Sequence, residues 1–103
     1  MPDIMQTYIL LTKLSPDLTR RMKDRENIGK TWIEQVRIKC PDVKFISHYA
    51  LLGQYDFLDI YEAPNEESAA KISMISRMNG ALCAETLIAI EHKRFIELIN
   101  EIT

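Results

Sequence analysis

Leu52-Gly53-Gln54-Tyr55-Asp56-Phe57 is the stretch whose reading decides the fold. Here a glycine, an amide, an aromatic ring and a carboxylate interrupt two apolar runs, residues 43–52 before and 57–63 after. Each run reads as a strand, the second starting from Tyr55, so the interruption reads as a tight hairpin turn. Upstream, residues 6–14 are β-prone and apolar on both alternating sets, as in a strand covered on both faces. Ser15-Pro16-Asp17 then opens a helix, with Ser at the cap, Pro at the first position and Asp at the positive dipole end. The helical pattern runs to Cys40 with a break near Lys23–Asp24, and Pro41-Asp42 ends it. Its apolar stripe is Ile28, Trp32, Ile33, Val36 and Cys40, and Gly29 within it suits close approach of a neighbour.

Downstream, Asn65 caps a helix that runs to Asn79. Its stripe is Ala69, Ile72, Ile75 and Met78, and Gly80 terminates it. A fourth strand spans 82–91. An amphipathic helix from His92 to Glu101 follows, with Phe95, Ile96, Leu98, Ile99 and Ile102 as its apolar residues. The order is β-α-β-β-α-β plus a terminal helix. Right-handed crossovers then place strands one and three at the centre of a four-stranded antiparallel sheet with the two main helices on one face. This is an α+β, ferredoxin-like domain occupying residues 1–103.

Helices cover one face of such a sheet, yet the strands are apolar on both. One alternating set holds Ile9, Leu11, Ile46, Ala50, Leu58, Ile60, Leu87 and Ala89, which are aliphatic and suit the helix side. The other holds Tyr8, Leu10, Thr12, Phe45, Ser47, Tyr49, Leu51, Phe57, Asp59, Tyr61, Thr86 and Ile88. Left in water, that second face would be a large exposed apolar patch. A two-fold homodimer with the sheets facing each other, a dimeric α/β barrel, would cover it. Free sheet edges leave room for higher homo-oligomers.

Charge sets further bounds. Lys and Arg total 13 against 15 Asp and Glu, a net charge of −2, which supplies no basic field for nucleic acid. Residues 13–44 carry nine bases against five acids and residues 45–103 four against nine, but Arg20, Arg21, Lys23 and Arg25 are interleaved with acids and lack stacking aromatics. Cys40 and Cys83 form no CxxC pair, and with His48 and His92 as the only histidines there is no metal-ligand cluster. Two free thiols, no leader pattern and no apolar run of membrane length point to a cytoplasmic protein with no membrane partner. Met1, Met5, Met22, Met74 and Met78 read as packing. Neither a P-loop, a GxGxxG loop nor a nucleophile elbow occurs, and no cofactor is implied.

At the hairpin the chain resembles the GYD-domain family, through Gly53 and Tyr55-Asp56. The similarity extends to Thr12-Lys13-Leu14-Ser15-Pro16, Glu62-Ala63-Pro64, Glu85-Thr86-Leu87 and Phe95, so that it covers nearly the whole chain. The resemblance implies a dimeric α/β barrel and supplies no reaction. Relatives of the broader fold class include cofactor-independent monooxygenases, haem-degrading enzymes and ligand-binding domains of amino-acid-responsive regulators.

Asp56 at the start of a strand reads as a turn-fixing acceptor, and Tyr55 as an interface anchor. Asp59 is the sharper candidate. A mid-strand carboxylate between Leu58 and Ile60 needs partners, and Tyr8, Tyr49, Tyr61 and Thr86 share its face. These residues and Phe57 would line a barrel interior that binds a small apolar or aromatic molecule. The alternatives are a cofactor-independent monooxygenase-like enzyme with Asp59 or His48 as base, and a structural or assembly module without a ligand. His48 falls on the helix-side set as a core or edge residue, and His92 at a helix start as a solvated one.

Overall fold

The computed structural model describes residues 4–103. Strand β1 (Gln6–Leu14) is followed by a short helix α1 (Pro16–Arg20), a 3-10 turn (Met22–Asp24) and helix α2 (Arg25–Lys39). Strands β2 (Lys44–Ala50) and β3 (Phe57–Ala63), helix α3 (Glu66–Met78), strand β4 (Ala81–Ala89) and helix α4 (His92–Ile102) complete the chain. The sheet order is β2-β3-β1-β4, and all three pairings are antiparallel. The fold is the ferredoxin-like arrangement read from the sequence, with β1 and β3 central.

Local chemistry explains the punctuation. Asn65 caps α3, its side chain accepting from the Ser68 N–H at 3.0 Å. Ser15 opens α1 through backbone alone: its carbonyl takes the Thr19 N–H at 2.9 Å, and its side chain makes no cap bond. Gly80 ends α3 at φ +95°, and a Cβ there would lie 2.1 Å from the Leu18 side chain, so glycine serves both the turn and the approach of α1. Gly29 differs from expectation. No atom lies within 4 Å of where its Cβ would stand, so it opens space beneath α2 and brings no neighbour closer.

One cluster of buried side chains lies between the sheet and helices α2 and α3. Tyr8, Leu10 and Tyr61 come from the sheet, Trp32, Val36 and Cys40 from α2 and its end, and Ala69, Ile72 and Ile75 from α3. Burying each large member contributes about 1.5–3 kcal/mol relative to exposure. Met78, expected on the α3 stripe, is 77% exposed, and Ser76 is buried in its stead.

The expected assignment of faces is exchanged on the central strands. Tyr8, Leu10, Thr12, Asp59 and Tyr61 turn toward the helices and are buried there. Ile9, Leu11, Leu58, Ile60 and Leu87 share the face opposite α2 and α3, as the pairings Ile9↔Ile60, Ile9↔Leu87 and Leu11↔Leu58 require. The reason is physical. Alternation separates two faces without labelling them when both are apolar, and α2 and α3 bring Trp32, Cys40 and Ser76, which pack on aromatic and polar partners.

Strand β2 also changes phase. Phe45 pairs with Tyr61, whereas Ser47 pairs with Ile60, so Ile46 is an extra residue and forms a bulge. Phe45 faces the helices, and beyond the bulge His48 and Ala50 do so, opposite Asp59 and Phe57. Ser47 and Tyr49 go to the open face.

Candidate functional site

The hairpin is longer than a tight turn. Residues 51–56 connect β2 to β3, closed by the Leu51 N–H donating to the Asp56 carbonyl at 2.8 Å. Asp56 is its clasp. Its N–H donates to the Thr12 carbonyl at 2.8 Å, and its carboxylate accepts from the Leu14 N–H at 2.8 Å and from Arg25 Nη2 at 2.7 Å. The Asp56 carboxylate takes the Leu14 N–H where the β1–β4 register shifts between Lys13 and Leu14. The hairpin, the end of β1 and the start of α2 are thus held by one carboxylate whose side chain is 13% exposed. Tyr55 reaches the other way, its hydroxyl donating to Glu85 Oε2 on β4 at 2.6 Å; this bond pushes the phenol above its ordinary pKa. Gly53 has φ +156°, a backbone conformation that side-chain-bearing residues rarely adopt.

From Asp56 a run of planar groups leads into the core. The Arg25 guanidinium lies 5.4 Å from the Phe57 ring centroid. Phe57 stacks on His48 at 5.4 Å, and His48 stacks on Trp32 at 6.5 Å. The Trp32 indole N–H donates to Ser76 Oγ on α3 at 2.8 Å. His48 is held in this stack by Asp59. An ionised carboxylate only accepts, so His48 Nδ1–H donates to Asp59 Oδ1, and Nε2 is left without a protein partner among the described residues. The bond to Asp59 raises the imidazole pKa above its ordinary 6.5, against an opposing contribution from burial.

The bulge at Ile46 makes this dyad, because an unbulged β2 in phase with Phe45 would aim His48 at the open face. The sequence reading put His48 on the helix side and Asp59 on the other, and so missed the pair. The available signal was that Asp59 needs a partner, and His48 is the one imidazole on a strand.

A cavity of about 30 Å³ lies beside the dyad, lined by His48, Asp59, Trp32, Phe57, Thr12 and Gly29 among others. That volume accommodates about a water or two. Ligand pockets typically enclose hundreds of Å³. Chemically the arrangement is an oriented imidazole whose second nitrogen has no protein hydrogen-bond partner among the described residues, beside a cavity of water size.

Of the residues expected to line a barrel interior, Tyr8, Phe57, Asp59, Tyr61 and Thr86 do share a face, but it is the helix-covered one, and Tyr49 alone turns to the open face. Asp59 bonds His48 and none of the expected hydroxyls. Tyr8 donates to Gln6 Oε1 at 2.6 Å and stacks on Tyr61. Tyr61 Oη and Thr86 Oγ1 are buried without a hydrogen-bond partner among the described residues, and burial pushes the Tyr61 phenol far above its ordinary value. His92 is exposed. Cys40 and Cys83 are free thiols. Among the described residues no His, Cys, Asp and Glu cluster could hold a metal, and no helix is long and apolar enough to cross a membrane.

The chain matches the GYD domain over residues 8–99, a span that includes Gly53, Tyr55 and Asp56 of the hairpin. The chain belongs to the GYD family. A relative from Thermus thermophilus, named glutamine synthetase and cystathionine beta-lyase binding protein, is 30% identical over 87 residues, which cover 84% of this chain and 90% of the relative. Two solved structures share the fold. MtbAldR aligns with TM-score 0.61 at 14% identity over 86% of this chain, which spans 55% of that protein's length. The C-terminal domain of the MgtC protein from Mycobacterium tuberculosis aligns with TM-score 0.61 at 11% identity over 89% of this chain and 95% of its own. In this GYD chain the three hairpin residues have separate tasks: Asp56 clasps, Tyr55 bridges to β4, and Gly53 permits the loop that carries both.

Proposed function

We propose that this protein is a homodimeric binding module for other proteins, assembled through the face of its sheet opposite α2 and α3. The carrying observation is that face: Ile9, Leu11, Leu58, Ile60 and Leu87 form an aliphatic patch on the side of the sheet opposite α2 and α3, four of them partly exposed and Leu87 40% exposed. Water contact over such an area is costly, and a second copy of the same face is its self-complementary cover. A binding role for proteins has support from the named partners of the Thermus relative. The small volume beside His48 weighs in the same direction, since it argues against a bulky substrate there.

The test is the mass in solution. Light scattering on the eluting protein is expected to give about 24 kDa, twice the 12.0 kDa chain, and Leu58→Glu, placing a charge on that face, is expected to give the monomer. A folded wild type that stays at 12.0 kDa at micromolar concentration would refute the dimer. Binding to glutamine synthetase and cystathionine β-lyase, immobilised in turn, is the first screen for partners.

A second reading keeps a ligand. Between two such faces the lining is aliphatic with Tyr49 at its border, a surface for a small apolar molecule. Native mass spectrometry of the purified dimer would reveal a retained molecule, and a bare dimer mass under all conditions would dismiss it.

A further inference from the structure

We propose that His48, oriented by Asp59, is the general base of a proton-transfer site that enolises a small, uncharged carbonyl compound. Both groups lie on the helix side of the sheet, so the site does not depend on how the opposite face is covered.

Three observations carry it. The first is a buried charge. Asp59 is 2% exposed in the middle of a central strand, and its hydrogen-bond partner is His48. Taking a carboxylate out of water costs several kcal/mol, and an apolar residue would fill the same place without that cost. What the carboxylate adds is orientation. It holds the imidazole proton on Nδ1 and leaves the Nε2 lone pair without a protein partner among the described residues, which is the arrangement of a general base.

The second is the bulge. Bulges recur beside active sites, where they re-aim a side chain, and the extra residue Ile46 is what turns His48 toward Asp59. The ring is stacked between Phe57 and Trp32, yet 42% of its side chain stays exposed. A base has to be fixed and reachable, and this imidazole is both.

The third is the space. Gly29 lines the cavity beside the dyad, and nothing lies within 4 Å of where its Cβ would stand. A glycine inside a helix costs about 0.5–1 kcal/mol relative to alanine, and no closer packing offsets that here. The missing methyl leaves the opening.

Chemistry narrows the substrate. A volume of about 30 Å³ takes about two heavy atoms, so a reacting group enters and the remainder stays at the exposed edge of His48. The charged groups around the ring are Asp59 and, beyond Phe57, Arg25, which is paired with Asp56. Asp59 therefore repels an anion and favours an uncharged molecule. Oxygen acids exchange protons with water unaided, whereas a carbon acid needs a base. An imidazole deprotonates carbon where a neighbouring carbonyl stabilises the carbanion. Thr12 lines the same cavity, and its hydroxyl suits the developing enolate oxygen. In the step, Nε2 takes the α-proton, the C–H pair becomes the C=C bond, and the carbonyl π pair moves to oxygen. Return of the proton from Nε2 closes the cycle, which consumes no oxidant or reductant.

Acetone and hydroxyacetone in deuterium oxide are the probes, with loss of the α-proton signal followed by NMR on the full chain and circular dichroism confirming the fold of each variant. Wild type is expected to exchange about 10²-fold faster than His48→Gln, the lower end of what a positioned base contributes. His92→Gln, which removes the other histidine, is expected to match wild type. The rate should rise with pH as His48 loses its proton. Its midpoint should lie above 6.5 in wild type and fall in Asp59→Asn, which removes the charge that holds that proton. Gly29→Ala, whose methyl enters the cavity of a folded protein, is expected to exchange about tenfold more slowly or worse. Equal rates in wild type and His48→Gln would overturn the base, and an unmoved midpoint in Asp59→Asn would overturn the orienting role of the carboxylate. Gly29→Ala exchanging as fast as wild type would overturn the cavity as the place of reaction, whatever becomes of the fold in the other variants.

Discussion

Asp56 is the residue whose removal should be most informative about the fold. In Asp56→Ala the Leu14 N–H loses its acceptor and Arg25 loses its counter-charge. An orphaned backbone donor costs about 1–3 kcal/mol. Surface ion pairs are worth about 0–1 kcal/mol, and breaking a buried one costs about 3–5. The Arg25 and Asp56 side chains are 18 and 13% exposed, between those limits, which places this pair at about 1–2 kcal/mol. The sum is about 3 kcal/mol, or about 12–24 °C in Tm for a domain of this size. Asp56→Asn keeps an acceptor for the Leu14 N–H and loses the charge, so about half the effect is expected. The assay is urea unfolding followed by the fluorescence of Trp32, the sole tryptophan, at one fixed protein concentration, because any self-association would shift the midpoint. A double-mutant cycle with Arg25→Ala isolates the ion pair and should return about 1–2 kcal/mol of coupling. A loss below about 1 kcal/mol in Asp56→Ala would refute the clasp, since one unmet buried donor already costs that much.

Two further outcomes follow from the dyad and the glycines. The bond to Asp59 raises the folded-state pKa of His48, so its stabilisation is complete below the ordinary 6.5 and is lost as pH rises through the folded value. The stability advantage of wild type over His48→Gln should therefore be largest near pH 5–6 and shrink toward pH 9, and a difference that is flat across urea midpoints over that range would sink the assignment. Gly29→Ala should stabilise by about 0.5–1 kcal/mol, because the site is helical and open. Gly80→Ala should destabilise by about 1–2 kcal/mol, because its φ is +95° and the new methyl meets Leu18. The same sign for both in thermal unfolding would contradict the geometry.

The architecture was legible because its signals are local. Asn65, Gly80, the proline-led helix start and the hairpin each act on a few neighbouring residues, and the element order then limits the topology. The faces were not legible, because the choice between them depends on what the helices bring. Trp32 and Ser76 lie 44 positions apart and meet in a hydrogen bond that no window of sequence contains. The His48–Asp59 pair was hidden for another reason. A single extra residue, Ile46, reverses the phase of β2, and a β-branched aliphatic residue is an ordinary occupant of a regular strand and gives no sign of a bulge. Met78 was misplaced because a stripe at helical spacing does not reveal where the sheet beneath it stops.

The irregularity at Ile46 bears on how the molecule grows, as well as on where His48 points. Strand β2 is an outer strand, and its unpaired side offers amide and carbonyl groups to any extended segment that comes by. A guest strand would need an unbroken ladder to template on, and the extra residue puts the two halves of β2 out of step and bends it. Lateral addition is thereby blunted at this rim. The β2 rim is a poor template for open-ended strand addition, which leaves β4, in unbroken register with β1 from Cys83 to Ala89, as the more regular edge of the sheet.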